Sequence, residues 1–311
     1  MAGPGAGGCD VMSLPRALFV SLRPHQWLKN LVVLAALVFS KHLFDVPALA
    51  QASLAFAVFC ALAGTVYLVN DLADLERDRL HPAKRTRPLA SGELPPSLAR
   101  VAAALLFILA VMASVSLGPR FLLCALAYPA LGLAYSLKLK HVVILDVLAV
   151  ALGFVLRAVA GAVAIGVHFS PWLLVCTLLL ALFLALAKRR HELVTLDDAA
   201  AHRQILAEYS AYLLDQMIAV VTASCLTAYA FYTLAPETVE KYRTERLALS
   251  IPFVIYGIFR YLYLVHHRGE GGSPGDVLLT DRPLLLAVAL CAAAMVLIVY
   301  TAPGIPVPRT N

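Results

Sequence analysis

Residues 48–78 read ALAQASLAFAVFCALAGTVYLVNDLADLERD, an apolar run that ends abruptly in Asn70-Asp71-Leu72-Ala73-Asp74-Leu75-Glu76-Arg77-Asp78. The apolar part is long enough for a helix to cross a bilayer. Carboxylates at the mouth of such a span are costly, and those found there usually serve a function. Asp71, Asp74 and Asp78 stand at i, i+3 and i+7, so on a helix they share one face and can jointly hold a hard, oxygen-seeking cation such as Mg2+. The competing reading is a solvated, charged helix end in which Arg77 and Arg79 interleave with the acids.

Outward from this stretch the whole chain has the same character. Of its 311 residues 61% are hydrophobic and 14% charged, far more apolar than a soluble domain requires. Hydropathy over span-length windows predicts nine crossings, at about 24–44, 48–70, 97–117, 121–137, 142–166, 170–188, 214–235, 247–266 and 283–302. Runs of this length exclude membrane strands, so the expected fold is all-α: a polytopic, nine-helix transmembrane bundle. It forms one domain over residues 23–303, with tails at 1–22 and 304–311.

The connections alternate between long, charged ones and short, nearly neutral ones. Of the 25 Lys and Arg residues, 18 fall on the side that carries the acidic stretch. By the positive-inside rule that side, with the N-terminus, is cytoplasmic. The same bias accounts for the net charge of +6, with no nucleic acid partner needed. No cleavable signal is visible ahead of Arg23-Pro24. Five of the six cysteines lie in separate spans without CxxC spacing, which excludes a zinc site or a disulfide framework.

Polar residues gather in a few places on the charged side. Lys84, Arg85 and Arg87 follow the acids closely, an arrangement suited to a magnesium-bound polyphosphate in which the metal bridges Asp to phosphate and the cations take the remaining charge. Contact with lipid headgroups is the bland alternative. Tyr135-Ser136-Leu137-Lys138-Leu139-Lys140-His141 forms a tight turn leading to Asp146, and Asp146, Gly153 and Arg157 share one helix face. That buried polar stripe is either part of a site or an interhelical contact. Lys188, Arg189 and Glu192 close the sixth span, where cations also suit the helix dipole. Asp281 and Arg282 precede the last span and serve either as a cap or in catalysis. Lys29 and Asn30, beside the interfacial Trp27, are placed to reach a phosphate.

These residues resemble a known group. Asn-Asp-x-x-Asp-x-x-x-Asp at 70–78, followed by Lys-x-x-Arg-Pro-Leu-x-x-Gly at 84–92, is similar to the motif of the UbiA superfamily of intramembrane prenyltransferases. The resemblance implies a nine-helix bundle around a central cavity open to cytosol and lipid. Arg-Pro-x-Gln-Trp-x-Lys-Asn at 23–30, Tyr-Ser-x-x-x-Lys-His at 135–141, Asp146 with Arg157, Lys188-Arg189-x-x-Glu192 and Asp281-Arg282 look most like the branch that moves phosphoribose onto decaprenyl phosphate. One departure separates branches. Aromatic prenyltransferases of the superfamily carry a second Asp-rich motif after the sixth span, where this chain has Lys188-Arg189-Arg190-His191-Glu192 and only the adjacent pair Asp197-Asp198 nearby.

The resemblance thus implies a transferase acting on phosphoribosyl pyrophosphate and a polyprenyl phosphate at the cytoplasmic face of a bacterial-type plasma membrane. Asp71, Asp74 and Asp78 would hold Mg2+ on the diphosphate, and Asn70 would orient a ligand or a ribose hydroxyl. Lys84, Arg85 and Arg87 would stabilise the leaving group, while Lys29, Lys140 and Lys188 would hold the other phosphates. Tyr135, Asn30, Asp146, Arg157, Arg189, Glu192, Asp281 and Arg282 complete the expected substrate-binding set. Prenyl transfer to an aromatic or haem acceptor shares the first motif and stays open at this point. A transporter is disfavoured, since neither inverted halves nor a second acidic motif is visible.

Overall fold

In the computed structural model, which describes residues 13–82, 84–168, 170–195 and 204–301, prolines set most of the helix starts. Pro47, Pro96, Pro119, Pro236, Pro252 and Pro274 each occupy a first-turn position, where the missing N–H is not needed and φ is already helical. In chain order the helices are α1 Leu14–Ser21, α2 Ala35–Phe39, α3 Val46–Ala73, α4 Leu75–Leu80, α5 Pro96–Ser116, α6 Pro119–Leu137, α7 Leu145–Ala164, α8 Pro171–Thr195, α9 Ala211–Leu234, α10 Pro236–Tyr242, α11 Ile251–His267, α12 Pro274–Thr280 and α13 Arg282–Thr301. The described residues contain no strand.

Eight segments among the described residues are helical, long and apolar enough to cross a membrane: α3, α5 to α9, the stretch Arg246–His267 containing α11, and α13. The chain is an integral membrane protein. The first expected crossing differs from the others: Pro24–Leu34 is a 3-10 helix that runs directly into the short α2. Hydropathy cannot distinguish the two helix types. At roughly 2.0 Å per residue the 3-10 turns stretch Pro24–Phe39 to about 30 Å, a bilayer-core length from few residues. This rod lies on α3 and α7. At Gly161 of α7 it comes so close that a Cβ would overlap the Val33 carbonyl oxygen, so only glycine fits.

Helices α3 and α7 are the most enclosed of the spans. α5, by contrast, turns Val101, Leu105, Ile108, Leu109, Met112 and Val115 outward, an apolar exterior that suits lipid and not water. α3 extends three residues beyond the expected end of its span, so Asp71 is held on the helix itself, and it is buried there. The stretch expected as an N-terminal tail contains α1, whose Ala17 is fully buried against Leu68, Leu89, Leu94 and Ala99. Residues 1–12 and 304–311 of the expected tails, and Asp197-Asp198, lie outside the described residues.

Candidate active site

The acidic end of α3 is built by the segment that follows it. Between Lys84 and Leu94 the chain makes successive turns, with Arg87 N–H bonded to Lys84 O, Ser91 N–H to Arg87 O and Leu94 N–H to Pro88 O. Gly92 supplies the left-handed residue (φ 86°) that these turns need. Leu89 and Leu94 are buried and anchor the segment, so Arg87 is carried back over the carboxylates.

There Arg87 Nη1 donates to Asp78 Oδ2 at 2.6 Å and to Asp71 Oδ1 at 3.1 Å. Arg23 Nη2 donates to the same Asp71 oxygen at 2.6 Å, and Lys84 Nζ lies 3.8 Å from Asp78 Oδ1. Asp71 and Asp78 are 5% and 3% exposed, and buried carboxylates demand such partners. Asn70 accepts from Ser136 Oγ at 3.2 Å, which ties the acidic stretch to the last turn of α6.

The three acids expected on one face are split. The helix ends at Ala73 and resumes at Leu75, and Asp74 at this break is half-exposed, 3.8 Å from Arg77. Among the described residues no three His, Cys, Asp or Glu side chains converge as a metal cluster. Two buried carboxylates converge instead on one cationic nitrogen of Arg87. An all-oxygen, doubly negative donor pair already closed on a cation has the chemistry a magnesium ion uses.

A second centre joins α7 and α8. Asp146, fully buried, accepts from Arg189 Nε and from Tyr209 Oη, both at 2.8 Å. Arg189 further donates to Glu192 at 2.7 Å and to Tyr135 Oη at 3.3 Å, and Lys188 lies 3.8 Å from Glu192. Burial, together with the bond to Asp146, pushes the Tyr209 phenol up to about 12, so it stays a donor at neutral pH. Tyr135, Asp146, Lys188, Arg189 and Glu192, separated by up to 57 positions in the expected set, are therefore neighbours in space.

A third centre lies deeper. Arg157 donates to Asn30 Oδ1 at 2.7 Å, to Gly153 O at 2.9 Å and to Tyr128 Oη at 2.7 Å. Its guanidinium also stacks 4.6 Å from the Tyr128 ring centroid. Asn30 completes the chain by donating to Cys60 Sγ. Arg157 and Asp146 thus find separate partners, as their distance along α7 requires. The Arg157–Asn30 bond fastens the 3-10 rod to α7.

Other expected residues sit apart from these bonds. Lys29 is exposed on the 3-10 rod, within reach of the charges of Lys188, Arg157, Arg23 and Asp276. Arg85 is exposed and Lys140 half-buried. Asp281 accepts from Arg260 Nε and Nη2 at 3.1 and 2.8 Å and from Leu284 N–H at 2.8 Å, which makes it the cap of α13. Arg260 holds its carboxyl below the usual carboxylate range. Arg282 lines a groove between α11 and α13 with Phe253 and Leu286. Neither residue is joined to the acidic end of α3.

Sequence reasoning missed Arg23, Tyr128 and Tyr209 as site residues. Arg23 had a signal in the Arg-Pro pair ahead of the first span, and its left-handed backbone (φ 53°) turns it onto Asp71 and the Tyr67 ring. The two tyrosines had none, since nothing in their spacing marks them.

Known proteins bear on this geometry. The UbiA prenyltransferase family model matches residues 30–273. The decaprenyl-phosphate phosphoribosyltransferase of Mycobacterium tuberculosis H37Rv is 36% identical over 295 residues, covering 91% of this chain and 96% of that protein. Its namesake from Corynebacterium glutamicum is 33% identical over 298 residues, covering 94% and 89%. Among solved structures, a UbiA homologue from Archaeoglobus fulgidus bound to GPP and Mg2+ superposes with a TM-score of 0.69 at 20% identity, over 92% of this chain and all of that one. With its apolar helical bundle and the acidic end of α3, this chain belongs to the UbiA prenyltransferase family of membrane transferases.

Proposed function

We propose that this protein transfers 5-phosphoribose from phosphoribosyl pyrophosphate to a polyprenyl phosphate of the decaprenyl type, at the cytoplasmic face of a bacterial plasma membrane. One observation carries the reading. A single pair of carboxylates, Asp71 and Asp78, converges on one nitrogen of Arg87, while the carboxylates of the second centre, Asp146 and Glu192, take different nitrogens of Arg189. One Mg-diphosphate and one bare phosphate suit such a site better than two metal clusters do. The extensive likeness to the phosphoribosyltransferases supports the same conclusion.

Asp71 and Asp78, with Asp74 from the exposed side, would hold Mg2+. When bound, the ion neutralises the diphosphate and aids its departure. Arg23, Lys84 and Arg87 shift their charge toward the diphosphate oxygens as the ribose C1–O bond breaks and its electron pair leaves with diphosphate. An oxygen of the lipid phosphate forms the new bond to C1. A phosphate monoester is ionised at neutral pH, so no general base is needed. Lys29 and Lys188, both accessible, would hold the lipid phosphate or the 5-phosphate, and positioning supplies much of the acceleration.

The purified protein is incubated with radiolabelled phosphoribosyl pyrophosphate, decaprenyl phosphate and Mg2+. The expected product is polyprenyl-phosphoryl phosphoribose with release of diphosphate. No transfer in this mixture, together with prenylation of hydroxybenzoate from a prenyl diphosphate, would replace the proposal by the aromatic-acceptor reading.

A further inference from the structure

The end of the bundle opposite the acidic site holds a second group of cations, which the proposed reaction does not use. Helix α3 separates the two ends by about 40 Å. At the far end a cavity of about 540 Å3 is lined by Ser40, His42, His168, Glu237, Lys241 and Tyr242 among others. The Tyr242 ring is 1% exposed, and its hydroxyl donates to Phe39 O at 2.6 Å, so the ring is a fixed platform. Lys41 Nζ and Lys241 Nζ lie 5.8 and 5.4 Å from its centroid.

The two ammonium groups are close enough to repel one another. Among the described residues neither belongs to an ion pair, although Glu237, the one carboxylate of the lining, stands a single turn before Lys241. The side is otherwise poor in cations, so their convergence here is selective. Two like charges gathered without a carboxylate partner are favourable when an anion sits between them.

The backbone adds an independent observation. Lys41 has φ 63° and Arg243, next to Tyr242, has φ 54°, a conformation that residues with side chains avoid. Strain of this kind persists where the fold needs a particular side chain in a particular place. At the acidic site the left-handed Arg23 bears this out, since it delivers a guanidinium to a carboxylate.

We propose that this cavity binds a phosphate group, gripped by Lys241 of its lining and by Lys41, which reaches the Tyr242 ring from outside the lining, beside His42 and His168. The apolar wall of Phe39, Ile165 and Leu173 continues from the cations. The ring pairs Trp172–Phe231 and Phe44–Tyr300 lie at the same end, as aromatic residues do at headgroup depth. Both features favour a lipid phosphate over a free one, and the experiment separates the two sources.

The full chain is reconstituted in phosphatidylcholine nanodiscs with or without phosphatidylglycerol, and retained lipid is counted by native mass spectrometry. The double substitution Lys41→Gly with Lys241→Ala is expected to lower phosphatidylglycerol retention about tenfold, as loss of a charge-assisted hydrogen bond would. Arg120→Ala, on the same side but away from the cavity, leaves retention unchanged. Lys41→Gly alone relieves the left-handed strain, so it keeps or raises the melting temperature while lowering retention, and it decides the matter should the double variant fail to fold. Inorganic phosphate is titrated into discs without phosphatidylglycerol. A melting shift in the wild type that the Lys41→Gly variant lacks, without selective lipid retention, identifies free phosphate as the source. Wild-type retention and wild-type phosphate response in folded Lys41→Gly, or no response of the wild type to either ligand, overturns the proposal.

Discussion

Arg189 donates its Nε–H to Asp146 Oδ2 at 2.8 Å with both side chains buried, so the end of α8 is locked to the start of α7 by an ion pair inside the protein. Removing one partner of such a pair strands the other charge, at a cost of roughly 3–5 kcal/mol. Asp146→Ala and Arg189→Ala are each expected to lower the melting temperature sharply. The double variant Asp146→Leu with Arg189→Met should recover much of the loss. Equal destabilisation by the single and double variants would show that the pair itself, and not the stranded charge, holds the helices.

Asp71, Asp74 and Asp78 differ in surroundings, and their variants should differ in consequence. Asp74 is half-exposed, and its contact with Arg77 at 3.8 Å is worth little. Asp74→Asn should leave thermal stability unchanged and reduce Mg-dependent turnover by about 100-fold or more. Asp71→Asn and Asp78→Asn should lower both, because each weakens bonds to Arg87 in a buried place. Wild-type turnover in Asp74→Asn would remove that residue from the metal assignment.

Gly161 and Gly153, both on α7, give opposite expectations. Alanine at 161 collides with the Val33 backbone and must push the 3-10 rod away, costing at least ~1–3 kcal/mol. Alanine at 153 meets only Arg157 Nη1 at 3.5 Å, an ordinary contact, and gains helix propensity of up to ~1 kcal/mol. Melting curves of the two variants in detergent make the comparison.

The segment between α11 and α12 rests on His191. Gly271 N–H donates to His191 Nδ1 at 3.2 Å, and a Cβ at Gly271 would stand 2.7 Å from His191 Cβ. Gly271→Ala should lift this segment, raising amide exchange over residues 269–281 while the spans stay protected. Unchanged exchange would mean that His191 yields instead.

Tyr209 provides a test by pH. Its phenol titrates near 10 in an unfolded chain and is raised to about 12 here, chiefly by burial. A raised value means stability that is complete below pH 10 and lost as pH climbs toward 12. Tyr209→Phe should flatten the alkaline unfolding profile in that window. At neutral pH it should cost about 1–3 kcal/mol, since Ile144 N–H loses its acceptor.

The sequence by itself determined the membrane class, the approximate position of nearly every crossing and the acidic end of α3. Hydropathy is a sum over neighbours in the chain, and bilayer thickness converts that sum directly into helices. It also made Asp146 and Arg157 unlikely partners, because the rise per residue along one helix is fixed. Only the tertiary structure decided which charges meet. Arg23 and Asp71 are 48 residues apart, Asn30 and Arg157 are 127 apart, and no local pattern encodes either pair. The same holds for the helix break at Asp74 and for the 3-10 form of Pro24–Leu34. These depend on Arg87 returning over the acids and on Gly161 admitting a backbone, contacts that exist only once the helices have packed.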